Sequence, residues 1–468
     1  MSGDRMDPSK PRVVIVGGGF AGIAAARALR RAEANVLIID KHNHHLFQPL
    51  LYQVATAALH PGTIAAPIRS LVSKQANCTV LMKEVDGVDV DAQTITLGGE
   101  PYTYDYLLLA TGFETNYFGR DDWKKEAPGL KTIDEATDVR ARFLLAFEQA
   151  EFEQDKAAKR AALTFAIVGA GATGVEMAGA LAGIADTLQR DFRSIDTRTT
   201  RIILLDFADR VLTSFHPDLS ERAKRDLESL GVEVLLRTRV TDVDAKGLSA
   251  ETPEGAIRID ANNVIWAAGV KGGALGEAVG AERDRSGRVI VCEDLSVPGH
   301  PNVFVAGDLA YRIDPETQQP VPAVAQGAIQ GGKFVGETIA AEIKALGTGE
   351  TPPRRRPFTY QDRGSMAIIG RNRAVAQLGR LRFGGYFAFL LWAMIHILFL
   401  IDFRRKLVVF IEWTWLYFTG GRGARLITGD ERMPKVIQPP PDFRLTLRDS
   451  MPDAESVEDR ADYARRAR

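Results

Sequence analysis

The sequence predicts an α/β fold: two Rossmann-like dinucleotide-binding units, the second inserted in the first, plus C-terminal membrane-anchoring helices. Three observations lead there. Two glycine-rich turns each end an apolar strand and open a helix. Each turn is followed downstream by a second apolar strand ending in aspartate. Far beyond both, an uncharged apolar run extends from Phe383 to Ile401.

The first turn follows Val13-Val14-Ile15-Val16 and carries Gly17, Gly19 and Gly22, with Phe20 and Ala21 entering the helix. The second follows Phe165-Ala166-Ile167-Val168 and carries Gly169, Gly171 and Gly174, with Thr173 at the equivalent entry. In such a fingerprint the first glycine permits a tight turn and the second lets a pyrophosphate approach the backbone. The third lets the helix pack on its strand. The pyrophosphate then rests on free N–H groups at the helix N-terminus, where the dipole favours negative charge. Asp40 and Asp206 end the second strands and suit ribose hydroxyls. Asp206 lies beyond the usual spacing of about 20 residues, which a longer helix from Gly174 to Phe192 accommodates. Two such fingerprints, each between a strand and a helix, make a strong signal, and a chain that holds two dinucleotides passes electrons between them.

The chain has 468 residues, too many for one core, with 45% hydrophobic and 25% charged residues and a net charge of −1. That balance gives no reason to expect nucleic acid. Cys78 and Cys292 are the only cysteines and form no CxxC pair, which points to a reducing compartment and no redox disulfide. The polar N-terminus lacks the apolar core of a signal peptide, so the bulk of the protein is expected in the cytoplasm. His42, His44 and His45 are too crowded for a common metal site.

Five segments are expected. Residues 1–125 form the first part of the first unit, closing on the strand Tyr106–Ala110 and the turn Thr111-Gly112. Residues 126–280 hold the second unit, with a surface helix over 134–160 and a buried strand Val264–Ala268 that ends at Gly269. Residues 281–350 return to the first unit: Val303–Ala306 is a strand, Gly307 permits close backbone approach, and Asp308 offers a carboxylate to a hydroxyl. A helix follows from Val324 to Leu346. Residues 351–432 hold a strand hairpin under the sheet and the apolar region, and 433–468 a proline- and charge-rich disordered tail.

The run Phe383–Ile401 has 19 residues broken only by His396, about 28 Å as a helix. Arg380 and Arg382 precede it; Arg404, Arg405 and Lys406 follow. Leu407–Phe418 is apolar apart from Glu412 and Thr414, with Trp413, Trp415 and Tyr417 suited to an interface. Three readings compete: a buried core helix, one spanning helix, or two helices lying in one leaflet. Basic residues at both ends favour surface attachment.

Together these features resemble the type II NADH dehydrogenases, single-subunit non-pumping NADH:quinone oxidoreductases, over Val13 to Ile427. The resemblance rests further on His45-Leu46-Phe47-Gln48-Pro49-Leu50-Leu51-Tyr52-Gln53-Val54-Ala55, on Ala306-Gly307-Asp308, and on Ala325-Gln326-Gly327-Ala328-Ile329-Gln330. It implies a disulfide-reductase-like flavoprotein fold. FAD is then expected on Gly17, Gly19, Phe20, Ala21, Gly22, Asp40, Lys41, Thr111, Gly112, Asp308, Ala325 and Gln326. NADH is expected on Gly169, Gly171, Thr173, Gly174, Glu176, Asp206 and Gly269. It also implies a membrane quinone as acceptor, a lipid bilayer as partner, attachment at the cytoplasmic face, and a homodimer.

The helix that starts at Ala325 is expected to aim its N-terminus at the flavin ring. Gln326 and Gln330 share one face, which in similar proteins borders the quinone pocket; an ordinary polar face is the alternative. Gly331 stands where similar proteins frequently carry a second glutamine. Glu176, in the first turn of its helix, either complements the dipole or faces the nicotinamide as a reactive carboxyl. Asp206 favours NADH over NADPH, with Arg210 near enough to soften the preference. Rival readings are a sulfide:quinone oxidoreductase, which needs reactive cysteines beside its flavin, a ferredoxin reductase, which lacks the apolar region, and a membrane-bound redox sensor.

Overall fold

The computed structural model describes residues 7–427; the expected disordered tail lies outside them. Val13–Val16 is buried on every side, as a continuous apolar strand inside a parallel sheet must be. It forms the centre of a six-stranded sheet in the order Ser296–Val297, His300–Val305, Tyr106–Leu109, Arg12–Val16, Asn35–Asp40, Cys78–Met82. Every pairing is parallel except that of the edge strand Ser296–Val297. Val303, Phe304 and Val305 pair with Leu107, Leu108 and Leu109, so the chain returns to its first sheet after nearly two hundred intervening residues.

Those residues build a second parallel sheet in the order Val232–Leu235, Arg201–Leu205, Thr164–Val168, Asn263–Trp266. It repeats the neighbour relations of the first, glycine-turn strand between aspartate strand and closing strand. The repeat extends to a three-stranded antiparallel sheet before each closing strand, at Gly87–Thr103 and Arg239–Asp260. Two short strands cross between the units: Phe113–Thr115 runs antiparallel to Val270–Gly272.

The structure departs from the sequence reading at four places. The helix expected over 134–160 is two helices, Ile133–Phe152 and Lys156–Ala162. Asp155 restarts it by accepting the Ala158 N–H, and the first of the pair buries Val139, Phe143 and Phe147 rather than lying on the surface. The second nucleotide helix runs Ala172–Leu188, shorter at its end than expected. The hairpin is a three-stranded sheet, Ser365–Gly370, Arg373–Leu378 and Leu381–Gly384. It presses on that helix: a Cβ at Gly179 would lie 1.6 Å from the Ile369 carbonyl oxygen, so only glycine allows the approach.

The fourth departure concerns the apolar run. Phe383 and Gly384 belong to a strand, and the helices are Tyr386–Phe399 and Phe403–Thr419. Asp402 caps the second by accepting the Arg405 N–H, which fixes the break. No helix among the described residues is long and apolar enough to cross a membrane, so the single spanning helix is overturned. A buried core helix fails as well. Ala388 and Trp392 face inward, while Tyr386, Phe387, Leu390, Met394 and Leu398 face outward. On the second helix Phe403, Leu407, Phe410, Ile411, Trp415 and Phe418 are exposed at helical spacing.

Candidate functional site

The two glycine turns are built alike. Gly17 and Gly169 take φ of +108° and +107°, a region closed to other residues. A Cβ at Gly22 or Gly174 would lie 1.8 Å from the carbonyl oxygen of Gly17 or Gly169. Around the middle glycines there is room instead. A Cβ at Gly19 would meet its nearest atom at 3.9 Å, and one at Gly171 would meet nothing within 4 Å. Neither nucleotide helix has a side-chain cap, so their first-turn N–H groups remain open to an anion.

The two aspartates serve the turns first. Asp40 accepts the N–H groups of Gly18 (2.6 Å) and His42 (2.7 Å). Asp206 accepts those of Ala170 (2.5 Å) and Ala208 (2.7 Å). Each carboxylate oxygen keeps further lone-pair capacity for a hydroxyl. Arg210 donates to the Thr213 carbonyl. Sequence reading missed His45, which is buried and bonds the Gly18 carbonyl through Nδ1 (2.9 Å). Its position before a Leu-Phe-Gln run gave no sign of that contact.

A cavity of about 1630 Å³ opens in front of the first turn, larger than the few hundred to 1,000 Å³ typical of small-ligand pockets. Its wall includes Gly17, Gly19, Phe20, Ala21, Asp40, Lys41, Thr111, Gly112, Asp308, Ala325 and Gln326. These twelve-residue expectations thus converge, except that Gly22 sits behind the turn, where it holds the helix. From the second unit the wall takes Thr173 and Glu176, whereas Gly169, Gly171, Gly174, Asp206 and Gly269 lie beyond it. The helix Ala325–Gly347 starts at this wall without a side-chain cap and packs so closely that a Cβ at Gly332 would lie 2.0 Å from the Ala21 carbonyl. Lys131, on the inter-unit loop, also lines the cavity. Burial lowers its pKa, with Asp308 opposing, and burial raises that of Asp308, with Lys131 opposing. No local pattern marked Lys131.

The remaining expected residues divide. Glu176 lies past the first turn of its helix, which holds no acidic residue, so the expected complement to the dipole is not made; it bonds the Ile368 backbone N–H, and burial pushes its pKa up to about 8. Gln326 donates to the Gly364 carbonyl (3.3 Å), and its Oε1 is buried without a partner. An unpaired acceptor at a cavity wall fits a donor on a bound ligand. Gln330 does not line the cavity: it donates to the Gln361 carbonyl (3.0 Å) and accepts the Gln361 N–H (2.9 Å). Position 331 points at Leu295 and Ala306, where a Cβ would sit 3.5 and 3.6 Å away, so Gly331 contributes nothing to the wall.

The cavity wall also takes Ile395, His396 and Phe399 from the first C-terminal helix. His396 bonds the Trp392 carbonyl through Nδ1 (2.7 Å) and stacks on the Trp392 ring at 4.2 Å. Burial lowers its pKa to about 4, so the ring is neutral and, with Nδ1 as donor, Nε2 is an acceptor. Arg405 ties the second helix to the first unit by donating to the Ala65 carbonyl (2.7 Å). Cys78 and Cys292 are free, burial raises the Cys78 pKa to about 12, and no metal-binding cluster occurs among the described residues.

Residues 11–332 match the family model described as pyridine nucleotide-disulphide oxidoreductase. Residues 363–422 match the NDH2 C-terminal domain. The chain is 44% identical over 434 residues to the type II NADH:quinone oxidoreductase Ndh of Mycobacterium tuberculosis, covering 91% of this chain and 92% of that protein. Against NdhA of the same organism the identity is 45% over 428 residues, 89% of each chain. The solved structure of NDH2 from Plasmodium falciparum in complex with NADH superposes with a TM-score of 0.80 at 20% identity, over 90% of this chain and all of that one. The sulfide:quinone oxidoreductase of Aquifex aeolicus superposes at 0.66 and 18% identity, covering 88% and 96%, a likeness of fold. The chain belongs to the type II NADH:quinone oxidoreductase family.

Proposed function

We propose that the protein transfers two electrons from NADH, through bound FAD, to a quinone drawn from a membrane, without pumping protons. One observation carries this reading. A single cavity is lined by the first glycine turn, by Thr173 and Glu176 of the second unit, and by Ile395, His396 and Phe399 on a helix whose outer face is apolar. FAD, when bound, supplies the chemistry of accepting hydride from a nicotinamide and releasing electrons to a quinone. The residues fit it: open space at Gly19, uncapped N–H groups, and carboxylates at Asp40 and Asp308. The Ala325 helix N-terminus places positive potential at the cavity wall, and Gln326 offers an unpaired acceptor. The open space at Gly171 and the carboxylate of Asp206 suit NADH. Glu176, at the junction of the two units, is positioned to hold a proton near the transfer point.

The apolar outer faces of Tyr386–Phe399 and Phe403–Thr419, with exposed Arg380, Arg382 and Arg404 beside them, suit two helices lying in one leaflet. Two such helices enclose no relay of ionisable groups, which argues against pumping. Replacing Phe387, Phe410 and Trp415 together by glutamate is expected to weaken binding to anionic lipid vesicles at least about tenfold per buried side chain lost, read by co-flotation. Vesicle binding equal to that of the unaltered protein would refute the docking face.

Asp206→Ala is expected to narrow the preference for NADH over NADPH about tenfold or more, because a carboxylate repels a 2′-phosphate. Equal kcat/KM for both nucleotides in the unaltered protein would contradict the assignment. The function itself is tested by detergent purification followed by an NADH-driven quinone assay in sealed vesicles. A flavin spectrum, quinone reduction and a steady internal pH are expected. A colourless protein, inertness toward every quinone, or internal acidification would contradict it.

A further inference from the structure

The stretch Phe47 to Gln53 is a sequence signature with no assigned role, and its last two residues form a buried polar chain. Gln53 and Tyr52 are both almost fully buried, and Tyr52 lines the cavity. Trp413, on the second apolar helix, donates its indole N–H to Gln53 Oε1 at 2.7 Å. Gln53 Nε2 in turn donates to the Tyr52 hydroxyl oxygen at 2.8 Å. The direction of this chain is fixed by chemistry. An indole N–H can only donate, so the carbamoyl oxygen of Gln53 must face Trp413 and its NH2 must face Tyr52. The phenol oxygen is thereby an acceptor, and its own hydrogen must point elsewhere.

The same helix pair carries a ring stack that reaches the cavity at His396. Trp413 stacks on Trp392 at 5.1 Å, Trp392 stacks on His396 at 4.2 Å, and Phe47 meets His396 edge-on at 6.3 Å. Trp392 Nε1 has no hydrogen-bond partner, so the stack holds its place through ring contacts, and Trp413 supplies its directional bond into the signature. Burial raises the Tyr52 pKa well above its ordinary value, with Glu176 next in effect and Arg422 opposing, so the phenol keeps its proton.

We propose that Gln53 is a positioning residue for the acceptor half of the reaction: clamped by Trp413, it turns the Tyr52 hydroxyl hydrogen toward the cavity, where that hydrogen bonds a carbonyl oxygen of the incoming quinone. This rests on the quinone reading given above. It gives the outward-facing apolar helix a polar line to the site, so that seating of Phe403–Thr419 and orientation of the acceptor are one event. A quinone carbonyl accepts but cannot donate, which suits Tyr52 and not the Nε2 of neutral His396.

The test uses the full-length flavin-loaded protein and 2-methyl-1,4-naphthoquinone as probe. Tyr52→Phe, Gln53→Leu and Trp413→Phe are each expected to raise both its KM and its Kd for the oxidised protein, read by equilibrium dialysis, about fivefold, the worth of one neutral hydrogen bond. The KM for NADH is expected to stay constant. Because the three act in series, the Gln53→Leu/Trp413→Phe double variant is expected to match the single variants rather than multiply them. Thermal melting and flavin content identify a variant that has merely lost its fold; Trp413→Phe, which keeps the ring stack, then carries the comparison. An unchanged Kd in all three, a rise in KM for NADH equal to that for the quinone, or multiplying effects would overturn the inference. Failure of the unaltered protein to bind the probe would overturn the quinone reading as well.

Discussion

Gly22→Ala is expected to yield a colourless protein. Even one methyl group at this position would stand 1.8 Å from the Gly17 carbonyl oxygen, and the obstructing atom is backbone of the buried turn that follows the strand Arg12–Val16. Overpacking of an ordinary core costs about 1–3 kcal/mol, and a collision with backbone this close exceeds what side-chain repacking relieves. The turn must open, and with it the uncapped N–H groups at the helix start. The absorbance ratio of flavin to protein is expected to fall at least about tenfold, since about 1.4 kcal/mol already corresponds to that factor. Gly174→Ala meets the same obstruction in the second unit, against Gly169. It is expected to leave flavin bound while raising the KM for NADH. Flavin retained at full occupancy in Gly22→Ala would show that the first turn is not where the yellow group is held.

Glu176→Gln is expected to lower turnover about a hundredfold, the lower edge of what general acid–base catalysis contributes, and to flatten the pH profile. Burial pushes the Glu176 carboxyl up to about 8 while its bond from the Ile368 N–H pulls down. A carboxyl raised in this way is protonated below pH 8 and loses its proton as pH rises through that value. A turnover that needs the proton therefore falls on the alkaline side. The same sign governs stability: the neutral form is the one the buried site accepts, so the contribution of Glu176 is present at acid pH and is lost as pH rises through about 8. Glutamine keeps the neutral shape and has no proton to give, so the fold survives and the alkaline limb disappears. Unchanged turnover and an unchanged limb would leave Glu176 with a structural role alone, in its bond from the Ile368 N–H.

Features fixed by neighbours along the chain could be read from it. The spacing of Gly17 and Gly22, and its repeat at Gly169 and Gly174, reports a steric demand that only glycine meets, while Gly19 and Gly171 between them leave open space for a ligand. Asp40 and Asp206 end apolar strands, and the strand Val303–Val305 was recognisable as a return to the first sheet. Features that depend on distant partners could not. Gln330 carries the same four-residue spacing as Gln326, yet it holds the Gln361 backbone, which only the packed fold brings alongside. Lys131 enters the cavity from a loop without any local signature. The break in the apolar run was encoded locally, in Asp402 as a cap and in Gly385 at φ +85°, but uniform hydrophobicity on both sides concealed it. Hydropathy measures the length of an apolar run and says nothing of where its backbone bonds restart.

The account stands or falls on whether reducing equivalents leave the protein through its lipid-facing side. Under anaerobic conditions, NADH-bleached protein is mixed with vesicles that contain a long-chain quinone, and recovery of the flavin absorbance is followed in time. Full recovery with quinone vesicles, and none with quinone-free vesicles, is predicted. Bleached protein that stays bleached in both, or that regains colour only with water-soluble oxidants, would contradict the account.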